Sequence, residues 1–182
     1  PARADSAHHP MNLPAAFTEA CARLDIPLTD HCLHVNVAAQ TLTHFHGDTA
    51  ETFTASTSKH GTGQQMDSFQ TPLGLHCVAE KIGAGSPVGT IFKGRKSIGT
   101  NGKGNPEARI TDRILWLSGL EPAFNEGGTV DSHDRYIYIH GVGDESHLGH
   151  PDSQGCIHLS AADLLPLFDA VPESSLVYIC KN

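Results

Sequence analysis

Apolar and polar side chains alternate along much of this chain, and that period of two restricts the possible folds more than any other feature of the sequence. The alternation begins after Cys32, where Leu33, Val35 and Val37 are separated by polar residues. Successive side chains of a β-strand point to opposite faces, so this pattern is typical of a strand with one buried face. The chain also holds 18 glycines and 11 prolines in 182 residues, which favours many turns between short strands. We therefore expect a mostly β protein.

Turn residues divide the chain into further strands. Segments 41–46 and 52–55 flank the dipeptide Gly47-Asp48 and predict a hairpin. Further strands are predicted where apolar residues recur, at 73–80, 110–117, 136–139 and 176–180. The polar segment 56–71 and the glycine-rich segment 83–105 predict loops, and we expect the second to be a long, partly mobile connection.

Two helices are expected beside the strands. Asn12 is a candidate N-cap for the first, whose apolar stripe has intervals of four, four and three residues: Leu13, Phe17, Cys21 and Leu24. Ser160 and Asp163 resemble a capping box at the start of the second. Pro166 should kink that helix or confine it to short turns, because proline removes a backbone donor.

The length of the chain fits one principal domain with a small extension. Residues 1–10, PARADSAHHP, look like a vector or tag remnant, which would make Met11 the native start. We assign residues 11–30 to an N-terminal helical extension and residues 31–182 to the principal domain.

Charge excludes two classes of partner. Twelve Lys and Arg residues oppose 20 Asp and Glu residues, so the formal net charge is −8. That balance argues against nucleic-acid binding through a basic face and against electrostatic attachment to an anionic membrane. No apolar run is long enough to predict a membrane span.

The cysteines favour a reducing compartment. The chain has five, an odd number at wide spacing, which fits free thiols better than a disulfide framework. Together with the lack of an export signal after Met11, this predicts a cytoplasmic protein. A signal peptide removed before residue 1 would instead make a periplasmic location the expectation.

Potential chemistry is concentrated between residues 136 and 159. A predicted strand ends at His140, and Cys156 follows Gly155 sixteen residues later. A thiol attacks as the thiolate, so a catalytic cysteine needs a neighbouring base such as imidazole. The backbone amides of Gly155 and Cys156 are candidate donors to an oxyanion.

Two other interpretations of these residues stay open. A free cysteine is often a small buried apolar side chain, and we expect this of the other four cysteines: Cys21, Cys32, Cys77 and Cys180. Cysteine and histidine are also zinc ligands, and five of them lie within 19 residues: His140, His147, His150, Cys156 and His158. Their spacing matches no zinc finger, so we expect no metal, and the loop histidines can equally be solvated.

A series of short motifs resembles the L,D-transpeptidase (YkuD-type) family. In order they are TPLG at 71–74, ITDRIL at 110–115, DS at 131–132, RYIYIHG at 135–141 and SQGCI at 153–157. The resemblance covers about residues 33–179. It implies a twisted β-sandwich or open barrel with a few helices, with residues 31–182 as the catalytic domain. It also implies a cysteine acyltransferase that needs no cofactor and acts on peptidoglycan stem peptides.

The resemblance assigns roles to individual residues. Cys156 would be the nucleophile, His140 the general base, and the carbonyl of Gly141 the group that orients the imidazole. Ser153 and Gly155 would shape the oxyanion region. Tyr138 lies two residues before His140 and should share its face of the strand, in a substrate-binding or packing role.

Two positions depart from the family pattern. Gln154 stands where the family has histidine, and His158 stands where it has arginine. Glutamine carries no proton, and histidine lacks the permanent charge that would bind a carboxylate. We expect altered substrate binding with activity retained, although a muropeptide-binding protein without activity is an alternative. Five cations are candidates to offset the negative net charge near substrate: Lys93, Arg95, Arg109, Arg113 and Arg135.

The resemblance implies two-step acyl transfer on a tetrapeptide stem. The thiolate would attack the carbonyl at the L-centre of the third residue, diaminopimelate, and release the terminal D-alanine. Water would then complete an L,D-carboxypeptidase reaction, whereas a second stem would complete a 3→3 cross-link. Because soluble muropeptides are recycled in the cytoplasm, the expected location favours the carboxypeptidase.

Overall fold

A computed structural model describes residues 11–182, so the assignment of residues 1–10 to a tag remnant lies outside the described residues. The described residues form two α-helices and ten β-strands. In chain order these are α1 (Ala15–Leu24), β1 (His31–Asn36), β2 (Thr41–His46), β3 (Thr49–Ser56), β4 (Gly74–Ile82), β5 (Ile91–Lys93), β6 (Lys96–Gly99), β7 (Thr111–Gly119), β8 (Tyr138–Gly141), β9 (Ile157–Leu159), α2 (Ala161–Ala170) and β10 (Leu176–Cys180). The predicted mostly β class with an N-terminal helix is confirmed.

Eight of the strands form a closed barrel. They neighbour one another in the order β4, β10, β1, β2, β3, β9, β8 and β7, and β7 pairs in turn with β4. The resemblance implied a twisted sandwich or an open barrel. The pairing of β4 with β7 closes the barrel. Closure removes free strand edges, which otherwise invite pairing with other chains.

The predicted hairpin at 41–55 is confirmed by β2 and β3, which pair antiparallel around Gly47. The segment 83–105 differs from the prediction of a plain loop. It contains a second hairpin, β5 and β6, which extends the sheet beyond β7. The strands are only three and four residues long, so their alternation is too short to stand out among the glycines.

The main core lies on one face of the barrel strands. Leu33, Leu115 and Ile139 are fully buried there, and α2 covers the same core with Leu164 and Phe168. Burial of such side chains stabilises the fold by about 1.5–3 kcal/mol each. Because strand side chains alternate, the neighbours of Ile139 on β8 point away from this core.

Helix α1 packs on a second, smaller cluster. Phe17 and Cys21 are buried against Leu75 and Leu176, as the apolar stripe predicted. The expected N-cap at Asn12 is wrong, because the helix begins at Ala15 and no side chain caps it. Pro14 occupies the N-cap position, and its restricted φ guides the chain into the first turn.

Helix α2 begins where predicted. The hydroxyl of Ser160 accepts a hydrogen bond from the backbone N–H of Asp163 at 3.1 Å. The helix is not confined to short turns as one alternative expected, because α2 continues through Pro166 to Ala170. The apolar contacts of Leu167 and Phe168 with the barrel outweigh the one helical hydrogen bond that proline removes.

Among residues 11–182, no helix combines the length and apolar character that a membrane crossing requires.

Candidate active site

Strands β8 and β9 place two histidines side by side. They are parallel neighbours in which Ile139 pairs with Ile157 and His140 pairs with His158. The isoleucines enter the core, so alternation turns both imidazoles to the opposite face. Cys156 immediately precedes β9 and, two residues from His158, shares this outer face.

His140 and Cys156 line the same cleft, which has a volume of about 440 Å³. The predicted residues Ser153, Gln154 and His158 line it as well. Its other walls come from the loops around the two strands and from the segment that precedes β7: Lys59, Pro106, Ala108, Arg109, Ile110, Val142, Asp144, His147 and Asp152.

The imidazole of His140 is held in one orientation. Its Nδ1 lies 2.7 Å from the carbonyl oxygen of Gly141. A carbonyl only accepts hydrogen bonds, so Nδ1 carries the proton and Nε2 keeps a lone pair. Burial, aided by the nearby imidazole of His158, lowers the pKa of His140 to about 3, against a smaller opposing effect of the Gly141 carbonyl. The ring is therefore neutral near pH 7 and able to accept a proton.

Gly141 has no room for a side chain. A Cβ at this position would lie 2.6 Å from Oδ2 of Asp112 and 2.9 Å from the carbonyl oxygen of Thr111. Asp112 is buried, with the backbone N–H of Gly89 donating to Oδ1 and the Thr111 hydroxyl donating to Oδ2. An irregularity in β7, between Thr111 and Ile114, brings this carboxylate against β8.

Cys156 rests as a neutral thiol that faces the backbone of β8. Its sulfur accepts a hydrogen bond from the N–H of Tyr138 and donates one to the carbonyl of Tyr136, both at 3.4 Å. Burial raises the pKa of Cys156 to about 11, while the Tyr138 N–H and the Arg135 guanidinium oppose the rise.

No hydrogen bond joins His140 to Cys156 among the described residues. Within residues 11–182, the hydrogen bonds of the Cys156 sulfur go to β8 and its preceding turn, and those of His140 go to Gly141. Both groups nonetheless face one cleft. Catalytic hydrogen bonds are often long or unformed without substrate, and a turn about one side-chain bond redirects a thiol.

Ser153 fixes the turn that carries Cys156. Its hydroxyl donates to the carbonyl of Cys156 at 2.6 Å and accepts from the N–H of Gly155 at 3.1 Å. The Gly155 amide is thus already engaged and does not point at an oxyanion, contrary to the sequence-based expectation. Gly155 has a φ of +120°, a conformation that side chains with a Cβ rarely adopt. The hydroxyl of Thr71 adds a 3.0 Å hydrogen bond to the Gly155 carbonyl.

The two departures from the family pattern occupy different environments. Gln154 is exposed at the cleft wall, whereas His158 is half-buried with its ring centroid 4.8 Å from that of His140. Tyr138 is buried on the same face, and its hydroxyl accepts a 3.2 Å hydrogen bond from Arg95. That contact places Tyr138 in packing beside the site.

Of the five candidate cations, Arg109 lines the cleft. Arg135 binds the carbonyls of the 63–70 loop, Arg113 binds the carbonyls of Ser86 and Asp112, and Arg95 stacks over Trp116. Lys93 is exposed on β5. The remaining charged residues of the cleft escaped the sequence analysis, because each comes from a loop without a motif: Lys59, Asp144 and Asp152.

The zinc interpretation receives no support from side-chain placement. Within the part of the chain described, no three His, Cys, Asp or Glu side chains are arranged to hold a metal ion. His147 and His150 are exposed on the loop between β8 and β9. All five cysteines are free thiols: Cys21 and Cys32 are buried as expected, and Cys77 and Cys180 are half-buried.

Comparison with known proteins agrees with the motifs. Residues 30–179 match the model of the L,D-transpeptidase catalytic domain. No curated protein sequence matches the chain at a significant level. Among solved structures, an L,D-transpeptidase from Mycobacterium smegmatis is 18% identical, with a TM-score of 0.51 over 83% of this chain and 58% of its own. An L,D-transpeptidase from Mycobacterium tuberculosis is 17% identical, with a TM-score of 0.54 over 84% of this chain and 58% of its own.

At these identities the solved structures show a shared fold, and the chain spans less than two thirds of their length. The family match includes all ten strands except the last residue of β10. It also includes His140, Cys156 and the turn that carries the thiol. The chain belongs to the L,D-transpeptidase catalytic domain family.

Proposed function

We propose that this chain is a cysteine acyl-enzyme peptidase that acts on the tetrapeptide stems of peptidoglycan. It cleaves the bond between the L-centre of the third residue, diaminopimelate, and the terminal D-alanine. One observation carries the proposal: the thiol of Cys156 and the neutral imidazole of His140 line the same cleft. Such a pair supports nucleophilic acyl transfer.

Acylation starts from a neutral pair. The thiol turns from the Tyr136 carbonyl toward Nε2 of His140, which takes its proton as sulfur attacks the substrate carbonyl. The positive charge of Arg135 favours the thiolate while it exists. Because the Gly155 amide is bound to Ser153, we assign the oxyanion to the N–H of Cys156. The imidazolium then protonates D-alanine as it leaves.

Hydrolysis is our proposed outcome for the thioester, which makes the protein an L,D-carboxypeptidase of murein recycling. Its support is the set of five free thiols, which fits a reducing cytoplasm in which soluble muropeptides are recycled. A 3→3 cross-linking reaction in the periplasm is the second candidate. It is favoured by the solved structures, which are named as transpeptidases.

One incubation tests the activity. We expect purified protein to release D-alanine from a disaccharide-tetrapeptide and to give the tripeptide, as measured by mass spectrometry. Addition of a second stem as amine acceptor separates the two outcomes, because a cross-linked dimer appears only if transpeptidation occurs.

A pair of cysteine variants tests the nucleophile. Cys156→Ala should lower the rate by roughly 10⁴- to 10⁶-fold, because no other group can form the thioester. Cys77→Ala is the matched control: Cys77 is half-buried and lies outside the cleft, so its rate should be unchanged. A Cys156→Ala protein with the rate of the unchanged enzyme would refute the assignment.

A further inference from the structure

A second imidazole stands beside the reacting groups without a role in acylation. His158 lies directly opposite His140 in the β8–β9 register, and the two rings are 4.8 Å apart at an angle of 59°. Both rings line the cleft. They differ in access, because His140 is 2% exposed whereas His158 is half-buried. A molecule that enters the cleft therefore meets His158 on the more open side.

The ring of His158 is also free of the hydrogen bonds that hold His140. Within residues 11–182, no hydrogen bond to the ring of His158 is observed. Its ring instead lies beside that of His140. Burial lowers the pKa of His158 to about 4, so the ring is neutral near pH 7. A neutral imidazole without a fixed partner has a lone pair available to accept a proton.

The strand geometry sets His158 near the thioester that acylation would form. Cys156 and His158 are two residues apart on the outer face, and two residues of a strand span roughly 6.6 Å. That interval separates the two backbones, and both side chains line the cleft, so a thioester on the sulfur would lie on the same side of the strand as the His158 ring.

We propose that His158 is the general base of the second step, in which water hydrolyses the acyl-enzyme. This proposal rests on the acyl-enzyme chemistry proposed above. Water donates one proton to His158 while its oxygen bonds to the thioester carbonyl carbon. The carbon–sulfur bond then breaks, the Cys156 sulfur leaves with the electron pair, and the proton held by His158 returns to it. The stem product, a carboxylic acid, releases its remaining proton to solvent.

In this proposal the two histidines act as bases in different steps. His140, fixed by Gly141, serves the thiol and the leaving D-alanine, and His158 serves the incoming water. Arginine at this position would carry a permanent charge and could not accept a proton. His158 therefore provides a proton acceptor at a position where the family has a permanently charged arginine.

Single-turnover kinetics tests this division. His158→Gln removes the proton acceptor and keeps hydrogen-bonding capacity. We expect this variant to release about one equivalent of D-alanine per enzyme at the original rate and then to slow by about 100-fold or more. A covalent acyl-enzyme should accumulate and be visible in the intact mass. His158→Asn should behave in the same way, and His150→Gln, which changes an exposed histidine of the β8–β9 loop outside the cleft, should leave both phases unchanged.

Other outcomes overturn the proposal. It fails if His158→Gln hydrolyses the acyl-enzyme at the original rate. It fails equally if both His158 variants lose the first turnover as well as the second, because the role would then not belong to deacylation. If the unchanged protein releases no D-alanine and forms no adduct, the proposed function itself fails, which is a distinguishable result.

Discussion

The resting pair of His140 and Cys156 carries no net charge on either partner, because burial disfavours the ionic form of each group. The lowered pKa of His140 and the raised pKa of Cys156 leave imidazole and thiol neutral over a wide range around pH 7. In the proposed reaction, the thiolate forms as substrate draws the sulfur away from the Tyr136 carbonyl, to which it donates a hydrogen bond at rest. Because the thiolate is the reactive form, we expect Cys156 to react slowly with alkylating reagents when no substrate is bound.

Gly141→Ala tests the anchor of the base. The new Cβ would lie 2.6 Å from the Asp112 carboxylate, so the strand must shift and the carbonyl that holds His140 moves with it. We expect kcat to fall by about 100-fold or more with a smaller change in KM, measured as D-alanine release. Gly99→Ala is the control, because its nearest contact would be at 3.4 Å. An unchanged kcat in Gly141→Ala would show that the anchor is dispensable.

For individual residues of the site, the sequence predicted which ones lie close together but did not predict how some of them are oriented. The motifs placed His140, Gly141, Ser153 and Cys156 together, because strand ends and glycine turns are local features. The direction of the Gly155 amide was missed, since it depends on the position of one serine hydroxyl. No local pattern encodes such a choice.

Among the elements, the loop that follows β3 depends on one arginine of the turn before β8. Nη1 of Arg135 donates to the carbonyls of Gly63 and Gln64, and Nη2 donates to the carbonyl of Gln70 and the hydroxyl of Ser68. This loop leads into Thr71, whose hydroxyl donates to the carbonyl of Gly155 in the turn that carries Cys156. Arg135 therefore supports the thiol through the loop as well as by charge.

Arg135→Lys should detach that loop while keeping the charge. A lysine has a single nitrogen and cannot span four acceptors in a fixed fork, so we expect a loss of about 2–4 kcal/mol in the free energy of unfolding. Urea unfolding measures the loss, and amide hydrogen exchange should rise within residues 57–71. Arg109→Lys changes an exposed arginine and should leave stability unchanged. Equal exchange in the loop of Arg135→Lys would contradict the bracing role.

Elements were predictable where the alternation is long and less so where it is short. The hairpin of β2 and β3 was visible because each strand has at least six residues. The hairpin of β5 and β6 was hidden among glycines, and α2 continued through Pro166 because of packing that propensity does not include. Tertiary contacts decide these cases.

The whole molecule holds several histidines in their neutral form. Burial lowers the pKa of His44, His76 and His158 to about 4 and that of His140 to about 3, from an ordinary value of 6.5. The unfolded chain binds these protons near pH 6.5, whereas the folded protein binds them only at lower pH. Between those values the unfolded state holds more protons, so acidification favours unfolding.

We therefore expect full stability above about pH 6.5 and a progressive loss as the pH falls toward 4, measured as the urea midpoint at a series of pH values. His76→Gln should flatten this dependence, because it removes one buried titrating group that lies between Gly74 and Ser132. It will also lower stability at pH 7, so the slope is the relevant readout. A urea midpoint that is constant from pH 7 to pH 5 would contradict the expectation.

Closure of the barrel has a consequence for how catalysis in such a chain can be altered. A slip of β9 by one residue along β8 would turn the side chains of Cys156 and His158 into the apolar core of the barrel. In a ring closed by the pairing of β4 with β7, such a slip cannot occur unless the register of at least one other strand pair changes as well. Closure thus constrains the spacing of His140, Cys156 and His158, and we expect new specificity to arise mainly through exchange of single side chains, as at positions 154 and 158.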